Sequence, residues 1–180
     1  MLIAAVIAAG VIFLPRDSPD TLTANTVNAP DFQFSVIEGN GLDGYEYLRV
    51  TEHGDAEFCW PEYTLVNNIG SLRVRLIKFK VNDSHLASLR QGLIQVKFMT
   101  ARHDLNYKGI DGAHVIAVVS GGGQSHAVKW ANLENRKCQR LRTLCRQITE
   151  PVRTTMGNSA SEISINEWNA KISTVTSARR

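Results

Sequence analysis

Alternating apolar and polar residues predict a β-hairpin near the middle of the chain. Tyr45 to Thr51 alternates and is rich in aromatic and β-branched residues, as strands are. The sequence His53-Gly54-Asp55 is typical of a turn. Ala56 to Trp60 is therefore predicted to return as the second strand, with Phe58 and Trp60 on one face.

A second hairpin is predicted further along the chain. His114 to Ser120 and Ser125 to Trp130 are separated by three glycines and Gln124. In the simplest register one face of this hairpin carries Val115, Ala117, Val119, His126, Val128 and Trp130. Ile116 and Val118 are apolar on the other face, which predicts that the first strand is covered on both sides and lies inside the sheet.

Leu72 to Val81 has the clearest strand pattern, but the phase of its alternation changes. The apolar positions are first Leu72, Val74 and Leu76, and then Ile77, Phe79 and Val81. A strand that keeps one buried face cannot change phase without moving its apolar side chains to the wrong side. We therefore expect a β-bulge near Leu76 and Ile77, which would add one residue and restore the register.

Two amphipathic helices are predicted. Asn82 is a good N-cap for the first, which is expected to end between Leu93 and Val96. Its apolar stripe is Leu86, Leu89 and Leu93. The second helix is capped by Asn132 or Asn135 and is expected to end by about Glu150, because Pro151 disrupts a helix interior. Its apolar stripe is Cys138, Leu141, Cys145, Ile148 and Val152.

The order of these elements is ββ-β-α-ββ-α, which predicts an α+β fold. We expect a two-layer sandwich, in which an antiparallel sheet carries helices on one face and is preceded by an N-terminal hydrophobic helix. Residues 31–153 are expected to form this single domain, a common size for one hydrophobic core. Residues 154–180 are rich in Ser, Asn and Thr and are expected to be mostly irregular, with one short docked element as the alternative.

The chain opens with an uninterrupted apolar run, Met1 to Leu14, which Pro15 and Arg16 end. As a helix the run would span roughly 21 Å, whereas the hydrocarbon core of a bilayer is roughly 30 Å thick. We interpret residues 1–15 as a signal-anchor or a signal peptide, with a buried core helix as the alternative. Residues 16–30 are expected to be a linker, with small-residue cleavage sites at Ala24 and Ala29.

Charge is distributed unevenly along the chain. Residues 16–62 hold ten acidic and two basic residues, whereas residues 63–180 hold seven acidic and 18 basic ones. Either the basic part binds an anionic surface or another envelope protein, or the two parts pack together and neutralise each other. The best candidate for a binding surface is the outer face of the second helix, with Arg136, Lys137, Arg140, Arg142 and Arg146. Nucleic acid is not favoured, because no aromatic residues are interleaved with these charges.

Candidates for catalysis are few. A small hydrolase would depend on His103, Asp104 and His126, but a dipeptide in a predicted loop and one strand histidine define no catalytic geometry. Cys138 and Cys145 would lie roughly 10.5 Å apart on a helix, too far for a disulfide. The cysteines are interpreted as buried thiols, with a bridge from Cys59 as the alternative. No zinc-ligand spacing is present, and no metal or cofactor is expected.

The sequence alone therefore predicts the location of the protein in the cell more clearly than its activity. We expect a membrane-tethered or exported module whose domain is extracytoplasmic, which has a binding or structural role in the cell envelope and is not an enzyme. The alternative is a hydrolase, which would need His103 or His126 in a concave pocket with a second catalytic group within hydrogen-bond reach.

Overall fold

A computed structural model of the chain describes residues 18–40, 44–66, 69–106 and 112–178. These residues form an α+β fold around one antiparallel sheet of seven strands, in the order β6-β5-β1-β2-β3-β4-β7. The strands are β1 (Gln33–Asn40), β2 (Gly44–Thr51), β3 (Asp55–Val66), β4 (Ile69–Lys80), β5 (His114–Gly121), β6 (Gln124–Trp130) and β7 (Ser161–Ile163). The helices are α1 (Pro19–Val27), α2 (Asp83–Gln95), α3 (Arg136–Met156) and α4 (Ile165–Ser177).

Both predicted hairpins are confirmed. In the first, β2 and β3 are antiparallel neighbours. In the second, β5 and β6 pair with Val119 opposite His126, which is the expected register. On its other side β5 pairs with β1, so it is an interior strand, as its two apolar faces predict. The strand β1 is an element that the sequence pattern does not reveal, because its apolar residues are interrupted by Ser35, Glu38 and Gly39.

The first face of the sheet packs against α1, α2 and α3. Asn82 caps α2 by accepting a hydrogen bond from the His85 backbone N–H at 2.8 Å, and the predicted leucine stripe of α2 is buried. Asn135, one of the two candidates, caps α3. The buried side chains of α3 include four of the five predicted ones, namely Cys138, Leu141, Cys145 and Ile148.

The helix α3 does not end near Glu150, as Pro151 leads one to expect, but continues to Met156. A proline inside a helix removes one backbone hydrogen bond. The turn beyond it is held by Arg153, which donates to Glu46 Oε1 at 2.5 Å. The Arg153 guanidinium also lies over two aromatic rings of β3, 5.1 Å from the ring centre of Phe58 and 5.5 Å from that of Trp60. These contacts favour the helical turn despite the missing hydrogen bond.

The expectation that all helices lie on one face, followed by an irregular tail, is wrong. Residues 161–163 pair with β4 as the short edge strand β7. The following helix, α4, packs on the second face of the sheet, where Trp168 and Val175 are buried with Ile37 and Ile116. Because apolar side chains on both faces of the sheet need cover, the tail becomes ordered and supplies it. The sheet therefore lies between two helical layers.

The predicted β-bulge in β4 is also wrong. β3 and β4 pair without an inserted residue, from Asp55 opposite Lys80 through Cys59 opposite Leu76 and onward. Leu72, Val74 and Leu76 belong to the cluster on the α4 side, whereas Ile77 and Phe79 belong to the core on the other face. The phase changes because the face of β4 that is buried changes halfway along the strand.

The interpretation of residues 16–30 as a linker is wrong over α1. Ser18 caps this helix by accepting from the Thr21 N–H at 3.2 Å, and a proline occupies its first turn. Thr23 and Thr26 are buried, and the Thr26 hydroxyl donates to the Leu22 carbonyl at 2.9 Å. A helix that buries threonine hydroxyls shows little apolar periodicity, so the sequence pattern did not indicate it.

The apolar run Met1 to Leu14, with its predicted role as a signal-anchor or signal peptide, lies outside the described residues. Among the described helices, none has both the length and the apolar character that a membrane span requires. Ser18, where the described chain begins, follows Leu14 by four residues.

Candidate functional site

The second face of the sheet is graded from apolar to polar along the strands. Directly opposed residues of antiparallel strands share a face, so the strand register aligns them in rows across the sheet. One row consists of Ile116, Ile37, Tyr47, Cys59 and Leu76. This row is buried in one cluster with Trp168 and Val175 of α4. The helix therefore covers the apolar row.

The next row on the same face is polar and lies beside α4. It consists of Val118, Ser35, Arg49, Glu57 and Lys78. Together with Gln33, Ser120 and Tyr47, the first four of these form the floor of an open groove of about 550 Å³. One wall of this groove is formed by Glu167, Ala170, Lys171, Thr174 and Val175. We call this feature the α4 groove.

A half-buried carboxylate lies at one end of the α4 groove. Glu57 Oε2 accepts from Lys171 Nζ at 2.9 Å, and Glu57 Oε1 lies 3.4 Å from Lys78 Nζ. The side chains of Glu57 and Lys171 are 21% and 19% exposed. Burial by itself raises the pKa of Glu57, but the hydrogen bonds and charges of Lys171 and Lys78 outweigh it, so the pKa lies below its usual value. Glu57 is therefore ionised and ties α4 to the sheet.

We expect Glu57→Gln to lower the free energy of unfolding by about 1 kcal/mol at pH 7, because two lysines lose their anionic partner. A carboxyl whose pKa is lowered by folding contributes stability above its unfolded pKa of about 4.3, and this contribution is lost as the pH falls through the folded value. The difference in the free energy of unfolding between variant and wild type should therefore become smaller below about pH 4. Urea denaturation at pH 7 and pH 3 measures it, with the exposed Glu150→Gln as control. A difference of constant size at both pH values would contradict this account.

Arg49 is the cation at the centre of the groove floor. Opposite it on neighbouring strands are Ser35 and Glu57, but both oxygens of Glu57 bond to lysines. The Gln33 side chain, with its amide oxygen turned toward Arg49, accepts from Arg49 Nη2 at 3.0 Å. No carboxylate among the described residues forms an ion pair with Arg49.

Tyr47 lies under α4 between the apolar row and the groove. Burial raises the pKa of its phenol to about 12, so the phenol keeps its proton at neutral pH. Its hydroxyl is hydrogen-bonded to Ser35, and Lys171 Nζ lies 5.9 Å from the centre of its ring. Tyr47 therefore supplies a neutral hydroxyl to the groove floor.

The predicted binding residues on α3 do not form one open cationic surface. Glu38 and Glu46 are directly opposed on β1 and β2, and such a like-charge pair is unfavourable without compensating charge. The Nε of Arg142 donates to Glu38 Oε1 at 2.8 Å, and Arg146 Nη2 donates to the same oxygen at 3.4 Å. Arg153 pairs with Glu46. Much of the positive charge on α3 therefore neutralises the acidic part of the chain.

The other three predicted binding residues lie toward the N-terminal half of α3. Arg140 donates to the Gln95 side-chain oxygen on α2, whereas Arg136 and Lys137 are exposed. The cationic surface that stays open is therefore smaller than the sequence suggested. Whether these residues bind an anionic partner stays a prediction.

His103 and Asp104 attach the loop in which they lie to the outer edge of β6 by hydrogen bonds. His103 Nδ1 accepts from the Lys129 N–H at 2.9 Å, and the Asp104 backbone makes two hydrogen bonds to the same edge. The Asn135 side chain donates to Asp104 Oδ2 at 2.9 Å, which holds the pKa of Asp104 below its usual value. These bonds occupy backbone groups that an edge strand would otherwise leave unpaired.

His126 is separate from that pair. Its Nε2 is 2.9 Å from the Ala101 carbonyl oxygen, to which it donates, and its ring meets Phe98 edge to face. Neither it nor His103 nor Asp104 lines the α4 groove. Among the described residues, no three His, Cys, Asp or Glu side chains are placed to hold a metal ion. These contacts give the three residues structural roles and do not favour the hydrolase alternative.

The three cysteines are free and buried, as predicted. Cys59 lies under α4 on the second face, whereas Cys138 and Cys145 lie under α3 on the first, so the sheet separates them. Burial raises the pKa of Cys59 and of Cys138 to about 12, and it also raises that of Cys145. None of them is a reactive thiolate at neutral pH.

Sequence reasoning did not find the α4 groove. Its floor depends on β1, which was not predicted, and its wall on α4, which the sequence analysis gave only as the alternative of a short docked element. In a comparison with known proteins, the chain matches no family model and no curated protein sequence. Its function must therefore be argued from the site itself.

Proposed function

We propose that this protein is a noncatalytic binding module of the cell envelope, held in or exported through a membrane by Met1 to Leu14, and that the α4 groove is its binding site. The observation that carries the proposal is the groove itself. It is open, has a volume of about 550 Å³, and is lined by polar side chains from four strands and one helix. Sites for small ligands are concave and commonly have volumes of about 300 to 1,000 Å³.

The chemistry of the described residues supports binding without catalysis. The histidines that a hydrolase would use are bonded to backbone groups, and the thiols are buried and protonated. The groove holds a neutral tyrosine hydroxyl and an ionised carboxylate between two lysines. Neither group has a pKa near neutrality, where a general acid or base works best.

The position of α1 favours an uncleaved anchor over a cleaved signal peptide. Cleavage after Ala24 would remove most of α1, and cleavage after Ala29 would remove all of it. Thr23, Thr26 and Val27 are buried in the domain, so either cut would expose its core. An anchor that ends at Leu14 would also hold the domain close to the membrane, because the four residue steps from Leu14 to Ser18 extend no more than roughly 14 Å.

Filling the groove tests the proposal. Ala170 is an exposed residue on the groove wall, and Ala170→Trp would place an indole in the opening without touching the core. A panel of polar metabolites and short peptides is screened for ligands that raise the Tm of the full chain. We expect at least one ligand to bind the wild type and to lose about tenfold or more in affinity with Ala170→Trp.

The matched control is Ala87→Trp, an equal substitution at an exposed site on α2, which should bind like the wild type. The ligand should also be recovered chemically unchanged after incubation with the protein. Equal binding by Ala170→Trp would contradict the assignment of the site, and conversion of the ligand would contradict the noncatalytic role.

A further inference from the structure

We infer that the α4 groove recognises a carboxylate group of its ligand and that Arg49 binds it; this rests on the proposed function of the groove and specifies its ligand class. The first observation is the state of the cations around Arg49. Lys78 and Lys171 both bond to Glu57, and Lys80 bonds to Asp55 at 3.1 Å. Among the residues that the structure describes, the Arg49 guanidinium has only a neutral amide partner, Gln33, on the groove floor. Its positive charge is therefore available to a ligand.

The groups beside Arg49 suit a carboxylate. A guanidinium presents parallel N–H groups that match the two oxygens of a carboxylate. Ser35 is directly opposite Arg49 on β1, and Ser120 is directly opposite Gln33 on β5. Both hydroxyls line the groove. That of Ser120 can donate to an oxygen that Arg49 holds, and that of Ser35 can do so when it accepts from the protonated Tyr47 hydroxyl. A planar acceptor beside Arg49 would thus meet donors from three adjacent strands.

The charge of the groove favours a group with one negative charge. The lining contains two cations, Arg49 and Lys171, and the two carboxylates Glu57 and Glu167. Lys78 lies outside the lining but pairs with Glu57, so it is counted as the third cation. The excess is one positive charge. A carboxylate neutralises it, whereas a dianionic phosphate would leave the site with a net negative charge. The apolar lining beside these groups consists of three small aliphatic side chains, Val118, Ala170 and Val175, and the ring of Tyr47.

These features describe a carboxylate attached to a short aliphatic group. Two sources have this chemistry, a free organic acid and the C-terminus of a peptide that ends in a small aliphatic residue. The probes are therefore hexanoate and N-acetyl-Ala-Val with a free C-terminus. Their uncharged counterparts are hexanamide and N-acetyl-Ala-Val-amide, and inorganic phosphate is the anion control. Each is titrated into the ¹⁵N-labelled full chain, and the backbone amide shifts of Ser35, Arg49 and Ser120 are followed by NMR.

We expect saturable shifts at these residues with at least one of the two acids and about ten- to hundredfold weaker binding of its amide. Arg49→Gln should weaken binding of the acid by a similar factor, because it removes the charge-assisted hydrogen bonds. The control is Arg102→Gln, the same substitution at an exposed position that does not line the groove, which should bind like the wild type. The acid that binds more tightly identifies the source of the carboxylate.

Four results would overturn the inference. They are the absence of saturable shifts with both acids, equal binding of acid and amide, unchanged binding of the acid by Arg49→Gln, and binding of phosphate as tight as that of the acids. In each case the screen with Ala170→Trp still shows whether the groove binds another class of ligand, so the proposed function can survive this failure.

Discussion

Trp168→Ala is expected to release α4 from the sheet and to cost about 3 to 5 kcal/mol. Trp168 is 6% exposed, and its indole N–H donates to the Tyr45 carbonyl at 3.1 Å. Its ring packs so closely on Gly44 that a Cβ there would lie 2.6 Å from the indole. Removal of the ring leaves a cavity at the first turn of the helix and one carbonyl without its donor.

The cysteines report whether α4 leaves the sheet locally or the whole protein unfolds. Cys59 lies in the row that α4 covers, whereas the other two cysteines lie under α3. In Trp168→Ala we expect a thiol reagent to modify one cysteine under native conditions and none in the wild type. The control is Ile165→Ala in the same helix, at a half-exposed position, which should protect all three. If all three thiols of Trp168→Ala react together, α4 is not an independently detachable layer.

Gly121→Ala is expected to destabilise the protein by about 3 kcal/mol, through the contact between α1 and the hairpin of β5 and β6. A Cβ at Gly121 would lie 2.4 Å from the backbone oxygen of Thr26 and 3.2 Å from the Phe32 Cα. Both are backbone atoms, so the end of α1 must move away from the sheet. The residues that would be displaced include the buried Val27.

Gly123→Ala, two residues later, is the control. It tests the cost of a side chain in the backbone conformation of the turn, without the contact to α1. At Gly123 a Cβ would meet nothing within 4 Å, and the cost comes from its φ of +73° alone, about 1 kcal/mol. Urea denaturation of Gly121→Ala and Gly123→Ala measures the difference. Equal costs would show that α1 does not pack on the hairpin as described.

Local patterns predicted the elements whose pairing is local. The two hairpins and α2 follow from alternation, turn residues and an N-cap that lie within a few residues of one another. The helix α4 also had a local signal, because Ser164 accepts from the Glu167 N–H at 3.1 Å, which is half of a capping box. Its apolar residues, Trp168, Ile172 and Val175, are spaced by four and three. The tail was nevertheless expected to be mostly irregular, because it is rich in Ser, Asn and Thr.

The features that the sequence did not predict correctly depend on contacts between distant parts of the chain. The phase change in β4 has two explanations in sequence terms, a bulge or a change of covered face, and only the position of α4 distinguishes them. The α4 groove likewise requires Ser35, Arg49 and Glu57 to be opposed on three adjacent strands. The pairing of Arg142 with Glu38 joins residues 104 positions apart. No local pattern contains that information.

The exposure of the groove to the outside of the cell tests the central claim most directly. Thr174 lies on the groove wall and is exposed, and the three native cysteines are buried and give little background. Thr174→Cys in the full chain is treated with a membrane-impermeant maleimide, on cells stripped of their outer layers but with the inner membrane intact. We predict labelling without lysis, and its loss when a groove ligand from the screen is present. Labelling only after lysis, or labelling that no ligand reduces, would contradict the proposal of an extracytoplasmic binding module.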